Sequence, residues 1–326
     1  MGVFLIGGDI LSKTSYEQYA KDMQNLLKQL PKELTRKQEE RIGKIYLKAF
    51  KSIEKKLEKC TDNKYRERLL RAYQTQIYKE LYPLIIQGII KVTDDILNIQ
   101  KESMIQLLVE TFENQTKLVD GKHKLQALVD ITNRKTVEQM IKGKVYYNGR
   151  GLDKLLWDAT KCSKDKLNLA ITSCIAQGMG AGDMSEVLKE FAMGGHHTWS
   201  RNKIREKLGP AYARKYSGGL DYEALRLART TLTHQAQLAT LATSKINPYM
   251  DAVIWHSDHQ AGRTCQLCLD RDGTKFELDN VPLDHPNGMC WLEPAYSMTP
   301  EEMAKDMKAW ASGEKNSGLM DKIYKR

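Results

Sequence analysis

From Lys32 to Lys59 the apolar residues Leu34, Ile42, Ile45, Tyr46, Ala49, Phe50, Ile53 and Leu57 fall on one stripe with a period of about 3.6 residues, and every other face is charged. Such a segment is a helix that buries one side only, so the chain must supply a partner for that stripe. The next segment does so. Cys60-Thr61-Asp62-Asn63 has the composition of a turn, and beyond it Tyr65, Leu69, Leu70, Tyr73, Ile77 and Leu81 mark a second amphipathic helix running to Pro83. Two long helices joined by a short turn pack antiparallel. Residues 12–30 precede them with a helical pattern that Pro31 interrupts, and residues 84–97 and 103–119 extend it, so the first 145 residues read as all-α.

The texture changes twice further on. Tyr146-Tyr147-Asn148-Gly149-Arg150-Gly151 is a turn-rich break and the expected domain boundary. Helix resumes from Leu152 to about Gln177, where Gly178, Gly180 and Gly182 stop it, and Asp183-Met184-Ser185-Glu186 has the spacing of a capping box that starts a short helix. The glycine-rich stretch 194–220 reads as an irregular surface excursion, after which Asp221 caps a helix through Lys245. Past Asn247 the pattern is one of short strands and turns, with Asp251–His256 a strand and Asp272-Gly273 a turn into Thr274-Lys275-Phe276. The expectation is a mainly α protein with a small α+β zinc-type module near the C-terminus. Its parts are an all-helical region 1–145 containing the hairpin, a helical region 146–248, a Cys/His module 249–300, and a helix with a loose tail over 301–326.

At 326 residues the chain has room for about two domains, and its 41% hydrophobic and 28% charged residues exclude a disordered or fibrous protein. No stretch approaches the ~18 consecutive apolar residues of a membrane span, since Val3–Ile6 runs into Gly7, Gly8 and Asp9, and Leu84–Ile90 contains Gln87 and Gly88. A cytoplasmic product with no targeting segment and no membrane partner is expected. The net charge of +10 is unevenly placed: residues 1–145 carry 27 basic and 19 acidic residues, and 32–72 alone carry 14 and 7. This stretch is either a surface for nucleic acid or an acidic protein, or a solvated face laced with i,i+4 pairs such as Glu40–Lys44.

Three of the six cysteines fall within residues 265–290. Cys265-x2-Cys268, then sixteen residues, then His285-x4-Cys290 is a zinc-type spacing. Cys-x-x-Cys in a tight turn sets two thiolates on one edge of a tetrahedron, and a second loop supplies the other edge, with bonds of about 2.3 Å to sulfur and about 2.0 Å to nitrogen. Arg263, Arg271 and Lys275 stand near enough in sequence to offset the charge of a three-thiolate site, and Pro286 stiffens the second loop. The alternative is two buried free thiols and an unrelated histidine. His256 and His259 are substitute ligands or hydrogen-bonded surface residues, His196-His197 reads as loop surface, and Cys60, Cys162 and Cys174 read as core packing.

The order of these motifs resembles that in a known family. Gly151-Leu152-Asp153-Lys154-Leu155-Leu156-Trp157-Asp158, Ile175-Ala176-Gln177-Gly178, Ala228-Arg229-Thr230, Arg263-Thr264-Cys265 with Cys268 and Asp272-Gly273-Thr274-Lys275-Phe276, and His285-Pro286-Asn287-Gly288-Met289-Cys290 follow one another as in the phage minor head, or minor capsid, proteins with a C-terminal region similar to the phage Mu F-like head-morphogenesis proteins. The likeness covers about residues 145–295. It departs where the family's Arg-Thr-Glu is Arg229-Thr230-Thr231, and where Gly288 replaces the first cysteine of His-Pro-Asn-Cys-Arg-Cys. The resemblance implies a virion protein of the head, found in the host cytoplasm during assembly. Its implied partners are portal, major capsid or scaffold proteins; the charge of residues 32–72, outside the likeness, makes packaged DNA a further expected partner.

A zinc-containing nucleic-acid-binding module is the alternative. A metal-dependent nuclease is disfavoured, because Asp284-His285-Pro286-Asn287 only faintly resembles a ββα-metal motif and no second histidine follows His285. Deaminase chemistry needs a His-x-Glu before Pro-Cys-x-x-Cys, which is missing. No enzymatic activity is expected.

Overall fold

Both long helices run through the prolines at which the sequence pattern stops them. Helix α1 spans Lys13–Glu58 with Pro31 inside it, and α2 spans Asn63–Thr111 with Pro83 inside it. An interior proline loses one backbone hydrogen bond and crowds the preceding turn, at a cost of about 3 kcal/mol. Burial around each one outweighs that. Leu27 and Leu34 flank Pro31 and pack with Val92 and Ile96 of α2, while Leu81, Leu84 and Ile85 around Pro83 are all buried. Each fully buried Leu or Ile contributes roughly 1.5–3 kcal/mol. The two helices are antiparallel, as expected: Lys48 reaches Glu80 at 3.0 Å and Ser52 donates to Gln76 at 3.1 Å.

The computed structural model describes residues 13–60, 62–111, 115–146, 148–192, 201–215, 219–259 and 264–311. His196-His197, Arg263 and the tail beyond 311 lie outside the described residues. Helix α3 (Gln115–Ile141) folds back on α2, and α4 (Leu152–Ala176), α5 (Ala181–Ala192), α6 (Arg201–Lys215) and α7 (Tyr222–Ile246) complete a mainly helical body. Helix α5 begins two residues before the expected capping box, so Asp183 lies in its first turn.

Within 194–220, the structure replaces the expected excursion with a helix that enters the core. Ile204, Leu208 and Tyr212, spaced by four, are buried, and the Tyr212 ring meets Phe191 edge to face at 5.6 Å. Gly209, at φ +84°, supplies the kink before Pro210 that lets α6 keep its apolar side inward.

The hydrophobic core does not divide at 146–151. One cluster joins Ile42, Phe50, Tyr73 and Ile77 of the hairpin to Leu156, Leu167, Phe191, Tyr212 and Ala228 beyond the break. The Tyr46 and Ser163 hydroxyls also meet at 2.9 Å, and Ser163 donates to the Leu220 carbonyl at 2.7 Å.

Beyond α7, β1 (Met250–His256), β2 (Lys275–Glu277) and β3 (Trp291–Tyr296) form a small antiparallel sheet in the order β2-β1-β3. Strand β3 lies at an edge, where Pro294 opposite Val253 is tolerated. The short helix α8 (Gln266–Arg271) links β1 to β2, and α9 (Pro300–Ala311) returns to α2. Val253, Trp255, Cys268, Cys290 and Leu292 make the module's own buried cluster.

Candidate metal centre

Helix α7 is the platform of the site. It is packed by α1, α2, α3, α4 and the sheet, so polar residues along it are buried as well as apolar ones. Thr230, Thr233, His234 and Gln237, at i, i+3, i+4 and i+7, share one face, and each reaches the loop 283–290. Thr230 Oγ1 accepts from the Asn287 amide at 3.0 Å, and Thr233 donates to the Gly288 carbonyl at 3.0 Å. His234 Nε2 donates to the Asp284 carbonyl at 2.8 Å. Gln237 accepts from the Asp284 amide at 3.1 Å and donates to the Cys290 carbonyl at 3.3 Å. Arg229 adds a bond to the Asn287 side chain at 3.3 Å. A loop with little apolar surface is thereby fixed by satisfying its backbone groups.

The loop's shape follows from its residues. His285-Pro286-Asn287-Gly288 closes with the Gly288 amide on the His285 carbonyl at 2.9 Å, and Asn287 takes φ +70°. Proline second and a left-handed asparagine third is the chemistry of a type II turn. Inside the turn the buried Asp284 carboxylate accepts from the His285 amide at 2.8 Å and the Cys290 amide at 2.9 Å. A Cβ at Gly288 would lie 2.0 Å from that carboxylate, so glycine here is the condition for Asp284 to staple the loop.

On the facing side Cys265 precedes α8, and the Cys268 and Leu269 amides both bond the Cys265 carbonyl at 3.1 Å. The ligand atoms of Cys265, Cys268 and His285 lie within 4.8 Å of one another, as do those of Cys268, Asp284 and Cys290, and the two groups share Cys268. The cluster of Cys265, Cys268, His285 and Cys290 could therefore hold a metal ion. A tetrahedral zinc would set its ligand atoms roughly 3.3–3.8 Å apart, given bonds of about 2.0–2.3 Å. Both three-residue groups meet the same 4.8 Å bound; Cys290 joins the first through Cys268 and stands beside Asp284, whose carboxylate is a further candidate ligand.

Protonation favours ligation at one side of the cluster. The Cys268 backbone amide, a side-chain contact with Cys268 and the nearby His285 hold the Cys265 thiol below its usual range. Burial pushes the Cys268 thiol well up, and pushes Cys290 up to about 11 with help from the Asp284 charge. His285 Nδ1 bonds the Pro286 carbonyl at 3.0 Å, which raises the imidazole's basicity, with Asp284 adding to the rise. With Nδ1 carrying the proton for that bond, Nε2 is left to face a cation.

The remaining sequence candidates take other roles. His256 pairs with Glu293 at 2.6 Å and stacks on Trp291 at 4.4 Å, and His259 pairs with Asp272 at 2.8 Å. The cations expected to offset thiolate charge are engaged elsewhere: Arg271 lies over the Trp255 ring at 5.2 Å and Lys275 pairs with Asp251 at 3.3 Å. Cys174 is buried in the core as expected, whereas Cys162 and Cys60 are half-buried, with Cys60 donating to the Asp62 carbonyl at 3.2 Å beside the hairpin turn.

A cavity of about 380 Å³ opens beside the cluster, between α1 and the loop. Two ion pairs, Lys32 with Asp258 at 2.5 Å and Glu39 with Arg229, tie its walls together. No helix among the described residues is long and apolar enough to cross a membrane. Comparison of the chain with family models, with curated proteins and with solved structures gives no match.

Proposed function

We propose that the chain is a structural component of a phage head, a minor capsid protein of the head-morphogenesis kind, whose C-terminal module is pinned by zinc. The observation that carries this reading is the meeting of sequence stretches that give the family resemblance. Arg229 and Thr230, from one of them, bond Asn287 in another. Cys268 of a third offers its ligand atom within 4.8 Å of those of His285 and Cys290. Asp158 of a fourth lines a second cavity of about 830 Å³ together with Thr230, Asp284 and Pro286. Motifs far apart in the chain that share one site are the pattern of a common structural core.

Zinc bound by Cys265, Cys268, His285 and Cys290 is structural in this reading, because four protein ligands close the tetrahedron and leave no position for water or substrate. The protein is then an assembly part with portal, major capsid or scaffold proteins as partners, and not an enzyme. Mass spectrometry of purified particles, with copy counting, tests the assembly role: a few copies per head are expected, and absence from mature and precursor heads alike refutes it. Elemental analysis of the protein purified without chelator tests the metal, with one zinc per chain expected.

A further inference from the structure

The outward side of the α1–α2 hairpin carries two cationic ridges. On α1, Lys37, Arg41, Lys44, Lys48, Lys51 and Lys55 follow at spacings of four, three, four, three and four residues, and all six are exposed. At a rise of about 1.5 Å per residue they form a line about 27 Å long. Ile42, Tyr46, Ala49, Phe50 and Ile53 lie buried on the opposite side of the same helix. On α2, Lys64, Arg68, Arg71 and Lys79 make a second exposed row, opposite the buried Leu70, Tyr73 and Ile77. Both buried stripes enter one core, so both ridges face outward together.

The carboxylates do not neutralise this face. Among the described residues of the two ridges, Lys48 meets Glu80 at 3.0 Å and Arg71 meets Glu67 at 3.1 Å. Glu40 turns to Arg36 at 3.7 Å instead of to Lys44, and Glu54 takes the Ser185 hydroxyl at 2.7 Å. Among the described side chains, no ion pair laces Lys44, Lys51 or Lys55. Like charges at helical spacing repel, whereas a line of them concentrates positive potential where a regular polyanion would lie.

We propose that this face binds the phosphate backbone of double-stranded nucleic acid, independently of base sequence. The proposal goes beyond the metal-centre and capsid readings and stands without either. Lysine predominates in the ridges, and it meets phosphate as a point charge without reading bases. Single-strand binding relies on aromatic platforms for the bases. Here the Tyr65 ring, at the foot of the second ridge, already lies under the Arg68 guanidinium at 5.5 Å. A double row of charge held in place by two helices packed into one core suits a duplex with one charge per about 1.7 Å of axis better than a flexible acidic peptide.

The test is fluorescence anisotropy of the full chain with a labelled mixed-sequence duplex between 50 and 200 mM salt. If about five phosphates are neutralised, affinity falls about 500-fold over that range, because the released counterions number nearly one per contact. The triple variant Lys44→Gln/Lys51→Gln/Lys55→Gln, checked for unchanged helicity by circular dichroism, should flatten the fall to about 12-fold. Lys142→Gln/Lys144→Gln/Lys154→Gln removes the same charge from another surface and should leave the salt slope near wild type. Equal flattening by both variants would make net charge, and not the ridge, the cause, and would overturn the proposal. So would no binding at 50 mM salt, or polyglutamate binding that duplex fails to displace, an outcome that assigns the face to an acidic protein.

Discussion

In the helical body a continuous buried cluster runs from Ile42 to Ala228, whereas the module from Met250 to Tyr296 has Val253, Trp255, Cys268, Cys290 and Leu292, two of them thiols. The body closes by apolar burial over long amphipathic stripes. The module closes by satisfying polar groups: the face of α7 on the loop, the Asp284 staple inside the turn, and the Cys/His cluster between loop and α8. The two halves should therefore fail under different insults. A cavity in the body is a packing defect, while the loss of one polar tie in the module exposes groups that have no other partner.

The largest expected effect separates them most sharply. A bound structural zinc couples its binding free energy to folding, on the order of 10 kcal/mol in zinc-finger peptides at neutral pH. A strong chelator, Cys268→Ser or His285→Ala should each abolish hydrogen-exchange protection in β1 and β3 and leave α1 and α2 protected. Protection in β1 unmoved by chelator would show that the polar ties alone hold the module. Next in size is Ile77→Ala in the body, expected to cost about 3 kcal/mol of global stability as a buried cavity. Denaturant unfolding measures it, and zinc content should stay at the wild-type level. Zinc loss on this substitution would mean that the two regions do not fail separately.

Gly288→Ala reverses that pattern. A methyl group in the space of the Asp284 carboxylate forces it off the His285 and Cys290 amides, and each such charged hydrogen bond contributes about 1.5–3 kcal/mol. Because both amides flank cluster residues, the loss should fall on the module, as a lower zinc affinity in a competition titration with the body's unfolding midpoint nearly unchanged. A variant that binds zinc as tightly as wild type would remove Asp284 from its assigned role.

What was legible in the sequence follows the same division. The stripes of α1 and α2 were readable because each buries one face and leaves a period behind, and strand β1 was readable as the short apolar run Ala252-Val253-Ile254-Trp255. The prolines misled because propensity is local, whereas Leu27, Leu34, Leu81 and Leu84 find their burial in other elements. Helix α6 was hidden by Gly209-Pro210 inside it and the glycines that flank it in the sequence, although Ile204, Leu208 and Tyr212 at four-residue spacing carried the signal. At the candidate site, cysteine spacing was enough to bring Cys265, Cys268, His285 and Cys290 forward. Asp284 and the α7 face were not, because Thr230, Thr233, His234 and Gln237 look like a wet helix surface until the loop that covers them is known. Their i, i+3, i+4, i+7 spacing is the trace they leave in the sequence.

The smallest effect concerns pH and sets His234 against His285 in the metal-free protein. Burial holds the His234 imidazole below its ordinary value, with its ring between the Asp284 carbonyl at 2.8 Å and the Tyr146 hydroxyl at 3.4 Å. The unfolded chain protonates this residue as pH falls below about 6.5 while the folded chain resists, so the unfolded state holds more protons and stability drops with acid. His285 has the opposite sign. Its folded value is raised, so its contribution is present below about 6.5 and is lost as pH rises through that raised value. His234→Gln keeps a side-chain N–H for the Asp284 carbonyl and removes the titration, so the variant should lose less stability than wild type between about pH 7 and pH 5.5 in paired urea melts. His285→Gln should lose more than wild type over the same interval, because the compensating gain is gone. Identical acid sensitivity in wild type and both variants would place the titrating groups elsewhere and strip both histidines of their assigned part in the pH dependence.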